Sequence, residues 1–183
     1  MKTPKAFCIN PKKVKVIVLG ADPTNETDNG HLKELDYAFG ILSDETRYFS
    51  GILKNLNLIG IHLEDIYVQN MVQNYLEAET EKNKTWETDA ERSLQLLFED
   101  LKKVKPNIPV LVTAERIMRF LINDKKKLTP AKAIYSNDAK ELWYVSAKDN
   151  KLNRPLIAFY RHFNYNLSKN NNYKELLSAF IRN

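Results

Sequence analysis

The sequence predicts an α/β protein, a three-layer α/β/α sandwich whose central four-stranded, mainly parallel sheet lies between helical layers. Two observations carry that expectation. Four short apolar runs, Val14–Leu19, Ile66–Val68, Pro109–Val112 and Leu156–Phe159, are of strand length. Their unbroken apolarity marks strands covered on both faces. Segments with helical periodicity fill the intervals, and strands alternating with helices build a parallel sheet. No repeat, low-complexity tract or shift in composition divides the chain, so residues 1–183 read as one domain.

The elements follow in chain order. Thr46–Ile61 places Phe49, Ile52, Leu53, Leu56 and Ile59 on one helical face. Thr88–Lys105 opens on Thr88-Asp89-Ala90-Glu91, a capping-box pattern. It turns Leu94, Leu97, Phe98 and Leu101 inward and ends in lysines before Pro106. Ala114–Ile122 and Tyr173–Ile181 read as two further helices. The stretch Lys132–Val145 breaks the rhythm. Ala133-Ile134-Tyr135 and Leu142-Trp143-Tyr144-Val145, joined through residues 136–139, read as a hairpin or an edge excursion.

Composition narrows the chemistry. Cys8 is the only cysteine, which excludes internal disulfides, an iron–sulfur cluster and a cysteine-based zinc site within one chain. His31, His62 and His162 share no metal-ligand spacing, so neither a metal nor another cofactor is expected. Met1–Cys8 is polar and basic, and Val14–Leu19 is too short for a secretory core or a membrane span. The expectation is a cytoplasmic monomer. A net charge of +5 suits a protein that visits a polyanion and equally suits a solvated surface.

In open parallel sheets, ligands bind beyond the carboxyl ends of the strands. After the first apolar run stand Gly20-Ala21-Asp22-Pro23-Thr24-Asn25. After the second stands Asn70, after the third Thr113-Ala114-Glu115, and after the fourth Arg161-His162-Phe163-Asn164. Singly, Asp22 and Asn70 are also good turn and helix caps. Together with His162 they form a candidate constellation.

These residues carry a family resemblance. Gly20-Ala21-Asp22-Pro23 after Val16-Ile17-Val18-Leu19 resembles the first motif of the uracil-DNA glycosylases, a strand running into Gly-Gln-Asp-Pro-Tyr. Tyr37-Ala38-Phe39-Gly40-Ile41 is similar to their Leu-Ala-Phe-Ser-Val segment. Ile66-Tyr67-Val68-Gln69-Asn70 resembles the strand ending in the base-reading asparagine, and Leu156–Phe159 leading to His162-Phe163-Asn164 resembles the last strand and its His-Pro-Ser motif. The four segments occur in the family's order and span nearly the whole chain.

The resemblance implies a DNA base-excision repair glycosylase, hydrolysing the N-glycosidic bond of uracil or another damaged base flipped out of single- or double-stranded DNA. Asp22 would orient the water and stabilise positive charge on the sugar, and His162 would stabilise the departing base. Asn70 would read the base through its paired donor and acceptor, Phe39 would stack on it, and Gly20, Ala21 and Thr24 would complete the pocket. Asn164, Tyr165, Leu167 and Lys169 would touch DNA, with Tyr165 or Leu167 as the wedge. Lys169, Arg161 and Asn170–Asn172 would meet phosphates.

Four departures from the family pattern lie near this site. Thr24 replaces the Tyr that walls off the base's 5-position, and Asn25 replaces a His. The segment between Asp22 and Phe39 is long and polar. His162-Phe163-Asn164 replaces His-Pro-Ser, which removes the fixed φ of proline. They fit either a divergent specificity or a catalytically inactive glycosylase-fold protein that binds nucleic acid or a nucleotide. A doubly wound enzyme of another kind, binding a small phosphate compound, is disfavoured. The chain has five glycines, and Gly20 has no partner at Gly-x-Gly-x-x-Gly spacing.

Overall fold

A computed structural model describes residues 2–24, 33–42, 47–78, 80, 82–135, 141–160 and 166–182. It is a mixed α/β structure built on a single six-stranded mixed sheet. The strands are β1 (Phe7–Cys8), β2 (Val16–Gly20), β3 (Ile66–Asn70), β4 (Val110–Val112), β5 (Tyr144–Val145) and β6 (Leu156–Ala158). The helices are α1 (Arg47–Leu58), α2 (Trp86–Leu101), α3 (Glu115–Leu121), the single turn α4 (Ala131–Ile134) and α5 (Asn171–Arg182).

The strand order is β1-β3-β2-β4-β6-β5. The central β2 pairs in parallel with β3 from Val16↔Ile66 to Gly20↔Asn70, and on its other side with β4 from Ile17↔Val110 to Leu19↔Val112. Beyond β4, β6 is parallel to it, while β1 and β5 close the two edges antiparallel to β3 and β6. Val16–Leu19, Val110–Val112 and Leu156–Ala158 are wholly buried, which is why they are apolar without alternation.

The sheet therefore has six strands, not the four expected. Each added edge strand is two residues long, too short to leave a periodic signal. Within Lys132–Val145, Tyr144–Val145 is indeed an edge strand. Ala133–Ile134, however, belongs to a helical turn that follows Pro130, whose φ of −61° leads the chain into it. The linking residues 136–139 lie outside the described residues, as does Thr46, the expected start of α1.

Helix ends explain two more boundaries. Gly60, at φ +75°, stops α1: Ile61 N–H donates to Leu56 O (3.0 Å) and Gly60 N–H to Asn57 O (3.1 Å), the Schellman pattern that needs a residue free to take positive φ. α2 begins at Trp86, two residues before the Thr88 capping pattern, because Trp86 is drawn fully into the core. Its far end is closed by Arg154, which is 7% exposed. The guanidinium donates to Leu101 O (2.8 Å), Val104 O (3.1 Å), Lys105 O (2.5 Å) and Pro106 O (3.1 Å); Leu101 O and Lys105 O also accept from Val104 N–H and Ile108 N–H, so the guanidinium matters most to Val104 O and Pro106 O.

The topology fixes where a site can form. From β2 the chain passes to β3 on one side. From β3 it crosses to β4 on the other side of β2 and then moves outward to β6. The connections leaving β2 and β4 therefore diverge, the arrangement in which open α/β sheets bind ligands beyond the carboxyl ends of the strands.

Candidate active site

Six of the candidate residues, Gly20, Ala21, Asp22, Thr24, Phe39 and Asn70, stand at this end of the sheet. Gly20 ends β2 and Asn70 ends β3, paired in register. Lateral neighbours in a parallel sheet present their side chains to the same face, so the Asn70 amide stands beside a bare α-carbon. A β-carbon on Gly20 would lie 2.5 Å from Phe39 Cζ and 2.6 Å from Cε2, and closer still to Asn70 Oδ1. The ring and the amide thus converge over Gly20, in space that only a glycine leaves open.

Phe39 reaches that place through an unusual backbone. It sits in the 3-10 turn Ala38–Gly40 at φ 62°, with Gly40 at 65° and Leu42 at 68°. A non-glycine residue in the left-handed region costs about 1–3 kcal/mol, and such strain concentrates at functional positions. The ring packs edge-on against Phe49 of α1, with centroids 5.9 Å apart. Asn70 is buried. Its backbone N–H donates to Gln69 Oε1 (2.9 Å), while the Gln69 amide donates to Asp100 Oδ2 (3.0 Å). Burial works against ionisation of Asp100, but donation from Lys103 and Gln69 outweighs it and holds that carboxyl below its ordinary range.

Asp22, half-buried two residues beyond Gly20, is held by three donors. Thr24 N–H donates to Oδ1 (3.0 Å), and the Thr80 hydroxyl (2.5 Å) and Trp86 Nε1–H (3.1 Å) both donate to Oδ2. Thr24 is itself buried, and its hydroxyl accepts from Leu76 N–H (2.7 Å), so it faces the segment after β3. Ala21 is half-buried, and its carbonyl accepts from Val72 N–H (2.9 Å). The end of β4 contributes structure instead: the Thr113 hydroxyl donates to Leu19 O (2.9 Å), and Glu115 pairs with Arg119.

Thr80 and Trp86, which bond Asp22, and Arg116 behind them carry no motif in the sequence. Arg116 of α3 donates to the carbonyls of Thr80 and Asn83 and makes a two-pronged bond to Glu87 (2.9 and 2.8 Å). Its guanidinium lies 5.1 Å from the centre of the Trp86 ring. That bond to Arg116 holds Glu87 below the ordinary carboxyl range. One signal was available: a tryptophan drawn into a core must find an acceptor for its N–H.

The last strand leads toward the remaining candidates. His162, Asn164 and Tyr165, with Arg161, lie outside the described residues, as does Asn25. Lys169 is exposed at the end of the 3-10 turn Leu167–Lys169. Leu167 is fully buried in the core, not presented outward where a wedge would stand. Asn170 is buried and donates to Asn166 O (2.8 Å), so of the asparagine run only Asn171 and Asn172 are exposed.

No family model matches the chain, and no curated protein matches it. Among the described residues, no group of three or more His, Cys, Asp or Glu side chains is placed to hold a metal ion. No helix of the described residues is long and apolar enough to cross a membrane.

Proposed function

We propose that the chain is a DNA base-excision glycosylase of the uracil-DNA glycosylase type, acting on a base flipped out of DNA. The observation that carries this reading is the convergence of the Phe39 ring and the Asn70 amide over Gly20, with Asp22 two residues away. A planar base needs a stacking face, a side chain with both a donor and an acceptor for its edge, and a floor without side-chain bulk. Asp22 then orients the water and stabilises the oxocarbenium-like sugar, as a carboxylate does in glycoside hydrolysis. Expulsion of the base falls to His162. Right-handed crossovers running in opposite directions from β2 and β3 favour α1 on one face and α2 on the other, the three-layer arrangement of this family. In this reading the protein works on DNA as a monomer, in the cytoplasm.

One observation favours a second reading, a glycosylase-fold protein that binds nucleic acid or a nucleotide without cleaving it. Both oxygens of Asp22 already accept bonds from within the protein, as a purely structural carboxylate would.

An excess of protein incubated with uracil, hypoxanthine or thymine-mismatch oligonucleotides, single- and double-stranded, followed by alkali, separates the two. The glycosylase reading expects strand cleavage at one of these bases, reduced by orders of magnitude in Asp22→Asn. Binding without cleavage of any of them selects the second reading.

A further inference from the structure

We infer that Trp86 and Thr80 are positioning residues for Asp22, and that Arg116 sets both in place. The catalytic consequence rests on the glycosylase reading; the clamp itself does not.

An ionised Asp offers about four acceptor positions. Among the described residues three donors occupy it: Thr24 N–H on Oδ1, and the Thr80 hydroxyl and Trp86 Nε1–H on Oδ2. Two donors on one oxygen and one on the other fix both torsions of the side chain. They leave an acceptor position on Oδ1, which is therefore the oxygen that takes the reacting water.

Each of the two Oδ2 donors is itself held. Trp86 is fully buried and meets Phe120 edge-on at 5.9 Å, so its N–H has no solvent to turn to. The Arg116 guanidinium covers its ring and also binds the carbonyl of Thr80, which aims the Thr80 hydroxyl from behind. Glu87 anchors Arg116 from the first turn of α2. The clamp thus joins three connections that leave successive strands: Asp22 after β2, Thr80 and Trp86 after β3, and Arg116 after β4. These three connections are tied together at the carboxylate of Asp22. Holding a reacting group in place is worth a large factor, since a displacement of about 1 Å costs about a hundredfold in rate.

The test has a readout that needs no activity. The chain has two tryptophans, Trp86 and Trp143, and hence two indole N–H signals in a 15N-correlated spectrum. Trp86→Phe, which keeps ring packing and removes the donor, identifies one of them. Asp22→Asn is expected to move the Trp86 signal and leave that of Trp143 in place; an unmoved Trp86 signal overturns the clamp. Single-turnover cleavage then tests positioning. Trp86→Phe and Thr80→Val are each expected to lower the chemical step about tenfold to a hundredfold while DNA affinity holds, with Thr80→Ser retaining the rate. Full rates in both Trp86→Phe and Thr80→Val overturn the positioning role. A wild-type protein that cleaves nothing removes the glycosylase reading and with it the catalytic role, while the indole shift still decides whether the clamp exists.

Discussion

A β-carbon at position 20 would press on the Phe39 ring and the Asn70 amide at once. Neither neighbour retreats cheaply, because Phe39 is packed against Phe49 and Asn70 is buried at the end of β3. Gly20→Ala is therefore expected to act as an overpacking substitution, costing about 1–3 kcal/mol in denaturant unfolding. It should also abolish base binding, because the inserted methyl displaces the ring and the amide that the proposed function assigns to the base. Unchanged stability together with unchanged binding of a free base would show that ring and amide do not close on this α-carbon. Thr24 stands four residues further along the chain. Its side chain reads in the sequence as a wall left low, but its hydroxyl is committed to Leu76 N–H. Thr24 is therefore tied to the segment after β3 and does not act alone on that side of Asp22.

Among the elements, α2 depends on a residue that no helical pattern discloses. Arg154 precedes β6 and closes carbonyls of Leu101, Val104, Lys105 and Pro106. Arg154→Met keeps the stem's packing, leaves Leu101 O and Lys105 O one backbone donor each, and strands Val104 O and Pro106 O. A loss of about 2 kcal/mol in thermal or denaturant unfolding is expected, at about 1 kcal/mol or more for each of the two acceptors left unpaired. A loss under about 0.5 kcal/mol would mean that water replaces the guanidinium. The start of β3 makes a pH-dependent contribution. Asp65, in the 3-10 turn Leu63–Asp65, accepts from His62 N–H (3.0 Å) and pairs with Lys15 (3.0 Å). Burial opposes its ionisation, but the His62 N–H and the Lys15 ammonium outweigh burial and hold its carboxyl below the ordinary value. A carboxyl depressed in the folded state stabilises the fold above its unfolded pKa of about 3.9. That contribution fades as pH falls from there through the folded value. Asp65→Asn should therefore lower stability by about 1 kcal/mol at pH 7 and lose less than the wild type on acidification to about pH 3. Parallel acid profiles for the two proteins would contradict the assignment.

For the whole molecule, what the sequence discloses and what it hides divide along one line. Buried parallel strands announce themselves as continuous apolar runs, so β2, β3, β4 and β6 were legible, and with them the strand ends at Gly20, Asp22 and Asn70. Two-residue edges leave no period, and the partners of Asp22 are 58, 64 and 94 positions away or act through a carbonyl, so Thr80, Trp86 and Arg116 were hidden. The same polarity of the sheet sorts the exposed cations by the end at which they stand. A protein that presents only its carboxyl end to DNA should use only the cations at that end. Lys84 is exposed just before Trp86, and Lys169 is exposed after the end of β6. Lys12 and Lys13, equally exposed, precede β2 and so stand at the opposite end. Each phosphate contact adds about 0.9 to the slope of log affinity against log salt for duplex DNA. In anisotropy titrations with a labelled duplex across KCl concentrations, Lys84→Glu with Lys169→Glu should flatten that slope by about 2 and weaken binding at least tenfold at low salt. Lys12→Glu with Lys13→Glu removes the same charge from the far end and should leave the slope unchanged. Equal losses in the two pairs would show that net charge alone draws the protein to DNA, and that the carboxyl ends of the strands are not its binding face.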